Sequence, residues 1–141
     1  MKAFASDNYS GIHPEILEAI QHANNYHEVS YGADHFTQKA NEQFESLFGT
    51  VKVLYAFNGT GANVIALKCC TLPFHSIVCT DTAHIHVDEC GAPVQSTGCT
   101  LIPLRSADGK LTPEMIRPLL KAKGNVHHNQ PKVISISQST E

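Results

Sequence analysis

The sequence lacks the features that place a protein in a membrane or on nucleic acid. None of its apolar runs approaches the roughly 18 residues of a transmembrane helix. Its lysine and arginine residues form no cluster, and the net charge is -3. The chain therefore has no basic surface of the kind that binds nucleic acid. These absences predict a protein that binds neither membranes nor nucleic acid.

Paired cysteines and a signal segment are also missing. The five cysteines include no CxxC pair, and their odd number favours reduced thiols. The N-terminal segment MKAFASDNYSG contains no long apolar stretch of the kind that a secretory signal needs. Together these two absences favour a cytoplasmic protein. At 141 residues and 42% hydrophobic composition, the chain suits one globular domain with a sizeable core.

Two segments near the N-terminus have the pattern of helices. Residues 13–25 carry Pro14 at a first helical position, followed by an apolar stripe. Residues 36–49 carry apolar side chains at helical spacing, with Asp34 before them as the N-cap. Residues 1–50 are therefore predicted to form an N-terminal helical segment with a loop.

From residue 51 onward, short apolar strands alternate with helices. This alternation predicts an α/β fold over residues 51–141, with a mostly parallel sheet and helices on both faces. Pro103 weakens one strand, and Pro118 predicts a kink or an early stop in the last helix. The predicted strands are 51–57, 76–80, 99–104 and 132–137. The predicted helical segments are 62–70, 84–92 and 112–122.

The segment NGTGAN, residues 58–63, follows the first of these predicted strands. Ligands of open α/β sheets bind at the carboxyl ends of strands. Glycines let N–H groups approach an anion, a helix N-terminus adds a positive dipole, and Thr60 adds a hydroxyl group. The spacing matches neither a P-loop nor GxGxxG, since Val64 stands where the third glycine belongs. Taken alone, the segment is either a phosphate site or a tight strand-to-helix turn.

A second polar group follows the next predicted strand, over residues 84–90. On a strand its alternating side chains would share one face and could bind zinc, as in a metal-dependent hydrolase. On a helix, His84 faces Asp88 instead, and the remaining side chains form a solvated surface. His127 and His128 are further candidate ligands, with nothing that ties them to this segment. The alternating side chains are His84, His86, Asp88 and Cys90.

Seven segments occur in a fixed order along the chain: SDNYSGIHPEILEAI, YGADHFT, LFG, NGTGAN, AHIHVDECGA, DGKLTPEMI and VISISQSTE. Together they resemble the N-terminal part of the low-specificity threonine aldolases. These enzymes are β-eliminating lyases of the aspartate-aminotransferase fold, and they depend on pyridoxal 5'-phosphate (PLP). The resemblance implies the N-terminal portion of a PLP fold type I large domain. It implies cleavage of L-threonine or L-allo-threonine to glycine and an aldehyde, by a homotetramer or dimer.

The resemblance also implies roles for the residues of the glycine turn and of the histidine segment. Gly59, Thr60 and Gly61 bind the cofactor phosphate in this comparison. His84 stacks on the pyridine ring and deprotonates the substrate hydroxyl group. A neutral imidazole suits that task because it titrates near neutral pH. His86 and Glu89 are near neighbours of His84 with weaker claims.

Three other residues are implied as substrate-binding groups. Ser6 binds the substrate carboxylate, and Tyr31 reaches a site shared with a neighbouring subunit. A second active-site histidine lies shortly before the last strand. The spacing from that strand favours His127 as catalytic and substrate-binding residue, with His128 as the near alternative.

The resemblance also implies what the chain does not contain. Family members are considerably longer, and their Schiff-base lysine lies beyond the segments that match. The expectation is an N-terminal fragment that does not catalyse aldol cleavage by itself and that exposes apolar surface. Within the same fold, another PLP-dependent amino-acid lyase is the alternative.

Overall fold

The computed structural model describes residues 9–25 and 27–138 of the chain. The chain divides into two compact units, and the boundary lies between Leu54 and Tyr55. The sequence places this boundary at residue 50. Each unit is described by itself below.

The first unit contains two helices, α1 (Pro14–Ala23) and α2 (His35–Phe48). α1 begins with proline, whose fixed φ suits a first helical position. At the start of α2, the Asp34 carboxylate accepts hydrogen bonds from the N–H and the hydroxyl group of Thr37, both at 2.8 Å. Both helices were expected from the sequence, and the predicted Asp34 cap is confirmed.

The apolar stripe of α1 is exposed to solvent in the described structure. Ile16 and Ile20 are each about half exposed, and α1 contains no buried residue. α2 likewise has no buried residue, and its Phe44 and Phe48 rings stack on each other at 6.1 Å between centroids. The predicted helices are thus amphipathic, with apolar sides that no described residue buries.

The second unit is built on a three-stranded parallel sheet. Its strands are β1 (His75–Thr80), β2 (Thr100–Leu104) and β3 (Gln130–Ile134), in the order β2-β1-β3. Helices connect them, so the predicted α/β fold with a parallel sheet is confirmed. The α-helices are α3 (Gly59–Cys70), α4 (His84–Val87), α5 (Ala92–Thr97) and α6 (Pro113–Ile116), and a 3-10 helix spans Arg117–Ala122.

The core of this unit lies around β1. Ile77, Val78 and Cys79 are almost completely buried, as expected for a central parallel strand that is covered on both faces. The path from β1 to β2 and the path from β2 to β3 run in opposite directions across the sheet. Because crossovers between parallel strands are right-handed, we expect α4 and α5 on one face and α6 on the other. The core cluster is formed by Leu67, Ile77, Cys79, Ala83, Ile85 and Cys99.

Two prolines act as the sequence predicts. Pro103 lies in β2 and pairs with Cys79 of β1. β2 is an edge strand of the described sheet, where a missing N–H is tolerated. The α-helical part of the last helix ends at Ile116, and a 3-10 helix continues through Pro118. Pro118 has no N–H to donate, so one hydrogen bond of a continuing α-helix is missing here.

Two predictions from the sequence are wrong. Residues 51–56 are not in a strand, although they are rich in residues that favour strands. A strand requires a ladder partner, and none of the described residues pairs with this segment. In addition, α3 begins at Gly59 rather than at Ala62. The two glycines therefore form the first turn of the helix instead of preceding it.

Candidate active site

The N-terminus of α3 is open to an anion. Asn58 is its N-cap, in extended conformation, and the Asn58 carbonyl accepts the Ala62 N–H at 3.0 Å. Among the residues that the structure describes, none accepts a hydrogen bond from the N–H of Gly59 or Thr60. A Cβ atom placed on Gly59 would have no heavy atom within 4 Å. Two amides without an acceptor among the described residues thus lie at the positive end of a helix of 12 residues.

The N–H of Gly61 differs from those of Gly59 and Thr60 because it has a hydrogen-bond acceptor. Its N–H donates to the side-chain oxygen Oδ1 of Asn58 at 2.8 Å. A Cβ atom on Gly61 would lie 3.2 Å from that same oxygen, so glycine allows the cap to close tightly. The Gly61 amide is therefore engaged within the turn. The donors that remain for an anion are the amides of Gly59 and Thr60 and the hydroxyl group of the half-buried Thr60.

His84 lies just beyond the carboxyl end of β1, at the first position of α4. The Ala83 N–H donates to the Thr80 carbonyl at 3.1 Å, which turns the chain from the strand into this short helix. Ala83 and Ile85 on either side of His84 are buried, at 5% exposure each. The His84 side chain itself is 43% exposed. Its neighbours thus anchor the turn while the imidazole remains accessible at the sheet edge where ligands bind.

A buried carboxylate joins this histidine to α3. Nδ1 of His84 lies 2.8 Å from Oε1 of Glu89. The same Oε1 accepts a hydrogen bond from Nδ2 of Asn63 at 2.6 Å. Asn63 is three residues after Thr60 and therefore on the same side of α3, one turn along. The structure thus brings the first turns of α3 and His84 to one place.

Sequence reasoning did not assign a role to Asn63 and gave Glu89 only a weak claim. Both residues belong to segments that the sequence singled out, NGTGAN and AHIHVDECGA. The sequence does not distinguish Glu89 from its exposed neighbour Asp88, and only the structure shows that the Glu89 side chain is completely buried. A buried carboxylate requires hydrogen-bond partners, so its burial would have pointed to a nearby donor.

His127 and His128 lie at the amino ends of the strands, opposite the carboxyl ends where His84 lies. They precede β3, whose first residue Gln130 is level with His75 at the start of β1. The Gln130 N–H donates to the Phe74 carbonyl at 3.0 Å, which fixes this loop at the amino ends of the strands. β1 has six residues, so a strand length of roughly 15–20 Å lies between this edge and the edge that carries His84. The fold of this unit therefore does not bring His127 to His84.

The two other residues expected to bind substrate belong to the first unit. Tyr31 is completely exposed and has a positive φ of 61°, a left-handed conformation that is uncommon for a residue other than glycine. Gly32 after it also has positive φ, so the YG pair forms a tight turn. Ser6 lies outside the described residues.

The metal-binding interpretation of residues 84–90 has no geometric support in the described part of the chain. No group of three or more His, Cys, Asp or Glu side chains is placed there so that it could hold a metal ion. His86 and Asp88 are exposed, whereas His84 and Glu89 turn toward each other. Residues 84–87 form a helical turn, so the alternation of a strand does not apply.

The second unit as a whole is an α/β domain with a glycine turn at a helix N-terminus and a histidine at the carboxyl edge of a parallel sheet. A family model described as "Beta-eliminating lyase" matches residues 3–141, and the chain belongs to this family. The predicted resemblance to its threonine aldolase branch is confirmed by individual relatives.

Two curated relatives are bacterial. The chain is 47% identical over 140 residues to a low specificity L-threonine aldolase from a Pseudomonas species, and 45% identical to that of Pseudomonas aeruginosa. Each match covers 98% of this chain and 40% of the relative, so the chain spans about two-fifths of the length of these relatives.

A solved structure has the same fold. The chain matches a Leishmania major threonine aldolase with a TM-score of 0.85 and 30% sequence identity. The match covers 94% of this chain and 39% of the Leishmania chain. The predicted fold, the N-terminal portion of a PLP fold type I large domain, is confirmed by this similarity. None of the described helices is long and apolar enough to cross a membrane.

Proposed function

We propose that the chain is a cofactor-binding part of a PLP-dependent aldolase, one that cleaves L-threonine or L-allo-threonine to glycine and an aldehyde. The observation that carries this proposal is the pair of free amides of Gly59 and Thr60 at the N-terminus of α3, on the side of α3 that Glu89 joins to His84. The relatives named as threonine aldolases support the choice of reaction.

The donor set of the turn fits the phosphate group of PLP. A phosphate ester is a dianion or monoanion with several acceptor oxygens, and helix N-termini bind such groups through backbone N–H groups. The Thr60 hydroxyl group supplies one more donor. Gly61 serves the site through its tight contact with Asn58, which keeps the turn in shape. When bound, PLP supplies an electron sink for the pair released from the Cα–Cβ bond of the substrate.

His84 is the catalytic base of this proposal. Its imidazole is half exposed at the carboxyl edge of the sheet and can accept the proton of the substrate's β-hydroxyl group. Loss of that proton lets the hydroxyl oxygen become the carbonyl oxygen of the aldehyde as the Cα–Cβ bond breaks. His127 is left outside the proposed site because it lies at the opposite edge of the sheet.

Exposed apolar side chains support a homo-oligomer, a dimer or tetramer, as the working form. α1 and α2 expose isoleucine and phenylalanine side chains, and apolar patches of this kind mark interaction surfaces. Tyr31 and Ser6 are proposed as substrate-binding residues of the assembled enzyme. All five cysteines are free thiols, which supports a cytoplasmic location.

Another PLP-dependent lyase of amino acids is the alternative, because the family is described as β-eliminating. The products distinguish the two reactions. Aldol cleavage of threonine releases glycine and acetaldehyde, whereas β-elimination releases ammonia and a 2-oxo acid. The assay needs an active enzyme, and a chimera supplies one: this chain followed by the remaining three-fifths of the Pseudomonas relative. We expect glycine and acetaldehyde from the chimera and no turnover from the 141-residue chain alone.

The cofactor part of the proposal is tested by binding to the chain itself. PLP and pyridoxal share the ring and aldehyde and differ in the phosphate. We expect PLP to bind at least about ten-fold more tightly than pyridoxal, a difference of about 1.4 kcal/mol. Inorganic phosphate should compete with PLP. Equal affinities for PLP and pyridoxal would contradict the assignment of the turn to the phosphate.

A further inference from the structure

We propose that Glu89 is a positioning residue that fixes the tautomer of His84. The Glu89 carboxylate holds the proton of the imidazole on Nδ1, so the lone pair that accepts the substrate proton is on Nε2. This inference rests on the proposed role of His84 as a base, but the contact itself belongs to the chain without cofactor. The distance from His84 Nδ1 to Glu89 Oε1 is 2.8 Å.

The hydrogen bonds around Glu89 determine which group donates. An ionised carboxylate only accepts hydrogen bonds. Oε1 receives two, one from Asn63 Nδ2 at 2.6 Å and one from His84 Nδ1. An oxygen that already accepts the amide N–H of Asn63 is a poor place for a carboxyl proton. The arrangement therefore favours an acceptor carboxylate and a protonated Nδ1 on His84.

The burial of Glu89 makes this arrangement hard to replace. Its side chain is completely buried, and Oε2 has no hydrogen-bond donor among the residues that the structure describes. Both of the donors that Glu89 has are thus on one oxygen. A buried carboxylate that lost either donor would carry a larger desolvation penalty. Asn63 and Glu89 consequently hold the Nδ1 side of the His84 imidazole in place.

The same carboxylate links the two halves of the proposed site. Asn63 is on α3, one turn after the free amides, and His84 is on α4. Because Glu89 contacts both, the orientation of the imidazole depends on the position of the helix that would hold the phosphate. Glu89 is in this sense a positioning residue for the base rather than a group that touches substrate.

The test is nitrogen NMR of the full chain labelled with 15N in its histidines. The two ring nitrogens of a neutral histidine have separate shift ranges, one for a protonated nitrogen and one for a nitrogen with a lone pair. The resonances of His84 are identified by their loss in His84→Ala. We expect Nδ1 in the protonated range and Nε2 in the lone-pair range. The opposite assignment, or an equal mixture, would overturn the proposal.

A variant shows whether Glu89 is the cause. Glu89→Gln replaces an acceptor by a group that both donates and accepts, so we expect the Nε2 resonance to shift toward an average of the two ranges. Glu114→Gln, which changes an exposed glutamate of α6, should leave it unchanged. Unchanged His84 resonances in Glu89→Gln would contradict the proposal. If Glu89→Gln does not fold, Asn63→Ala still tests it, since a shortened network should broaden or shift the same resonance.

The role of Glu89 and the proposed cofactor binding can fail independently, and one experiment distinguishes the two failures. PLP is titrated into the same samples. Binding of PLP with the wrong tautomer of His84 would overturn the positioning role and leave the cofactor assignment intact. The expected tautomer without PLP binding would do the reverse.

Discussion

The side-chain oxygen of Asn58 lies 2.8 Å from the amide nitrogen of Gly61, so the glycine turn is capped by its own chain. The cap uses one of the N–H groups that the NGTGAN segment offers and leaves those of Gly59 and Thr60 free. The turn is therefore a capped helix start that leaves two amides for the proposed anion site. The two interpretations that the segment permits do not exclude each other.

This double role predicts that one substitution of Asn58 lowers stability and that another lowers PLP affinity without loss of stability. Asn58→Ala removes the cap and should lower the free energy of unfolding by about 1 kcal/mol. Asn58→Asp keeps an acceptor and places a negative charge at the helix N-terminus, so we expect unchanged or slightly higher stability. The added charge should nevertheless weaken PLP binding on the order of ten-fold, which corresponds to about 1.4 kcal/mol.

Salt distinguishes this effect from a structural one. The repulsion between Asp at position 58 and a phosphate is exposed and should be screened as ionic strength rises. We expect the loss of PLP affinity in Asn58→Asp to shrink between low and high salt. A loss that is independent of salt would mean that the substitution acts through the structure of the turn, and no loss at all would mean that the phosphate is bound elsewhere.

We predict that the Thr60 hydroxyl group contributes to binding of the cofactor's phosphate group and not to binding of its ring. Thr60→Val keeps the shape of the side chain and removes the donor. A hydrogen bond to a charged group contributes about 1.5–3 kcal/mol, so PLP affinity should fall by at least about ten-fold. Pyridoxal affinity should stay the same. Thr100→Val, at an exposed position of β2, is the matched control, and an equal loss there would refute the prediction.

The central strand should dominate the stability of the second unit. Ile77 is fully buried in β1, and Ile77→Ala removes core contacts and leaves a cavity. We expect a loss of about 2–5 kcal/mol in the free energy of unfolding, and about 0.5–1.5 kcal/mol for the milder Ile77→Val. Ile136→Ala, at a position that is 67% exposed, should change it by no more than about 0.5 kcal/mol. Denaturant titration measures all three.

Cys79 predicts a loss of stability at alkaline pH. Burial raises the pKa of the Cys79 thiol from its ordinary value of 9.0 to about 11. Because this pKa is higher in the folded state than in the unfolded state, the stabilising contribution is complete below about pH 9 and declines as the pH approaches 11. The decline in unfolding free energy between about pH 8 and pH 10.5 should be smaller in Cys79→Ala than in the wild type. Equal declines would contradict this assignment.

The helices and strands were largely predictable because their signals are local. Capping by Asp34, the proline at the start of α1 and the break before Pro118 depend on neighbouring residues only. The segment 51–57 shows the limit of such signals. Its composition favours a strand, but strand formation depends on a partner that is distant in sequence.

The candidate site likewise combines residues with local sequence signals and contacts between residues that are distant in sequence. The sequence pattern placed the segment of His84 at the carboxyl end of a strand, where the fold has it, whereas its proposed role came from the family resemblance. The contact of Asn63 with Glu89 joins residues 26 positions apart and depends on where the segment after α4 lies against α3. His127 was placed by its distance from the last strand alone. Because His127 precedes β3 rather than following it, it lies at the amino ends of the strands.

The most direct test of the account is the release of acetaldehyde from L-threonine by the chimera of this chain and the Pseudomonas relative. His84 and His86 are neighbours on the same short helix, but only His84 contacts Glu89 in the described structure. We predict that His84→Ala lowers kcat by on the order of 10²–10⁴, the range for loss of a general base, and that His86→Ala changes it little. Full turnover in His84→Ala, or equal losses in both variants, would contradict the account.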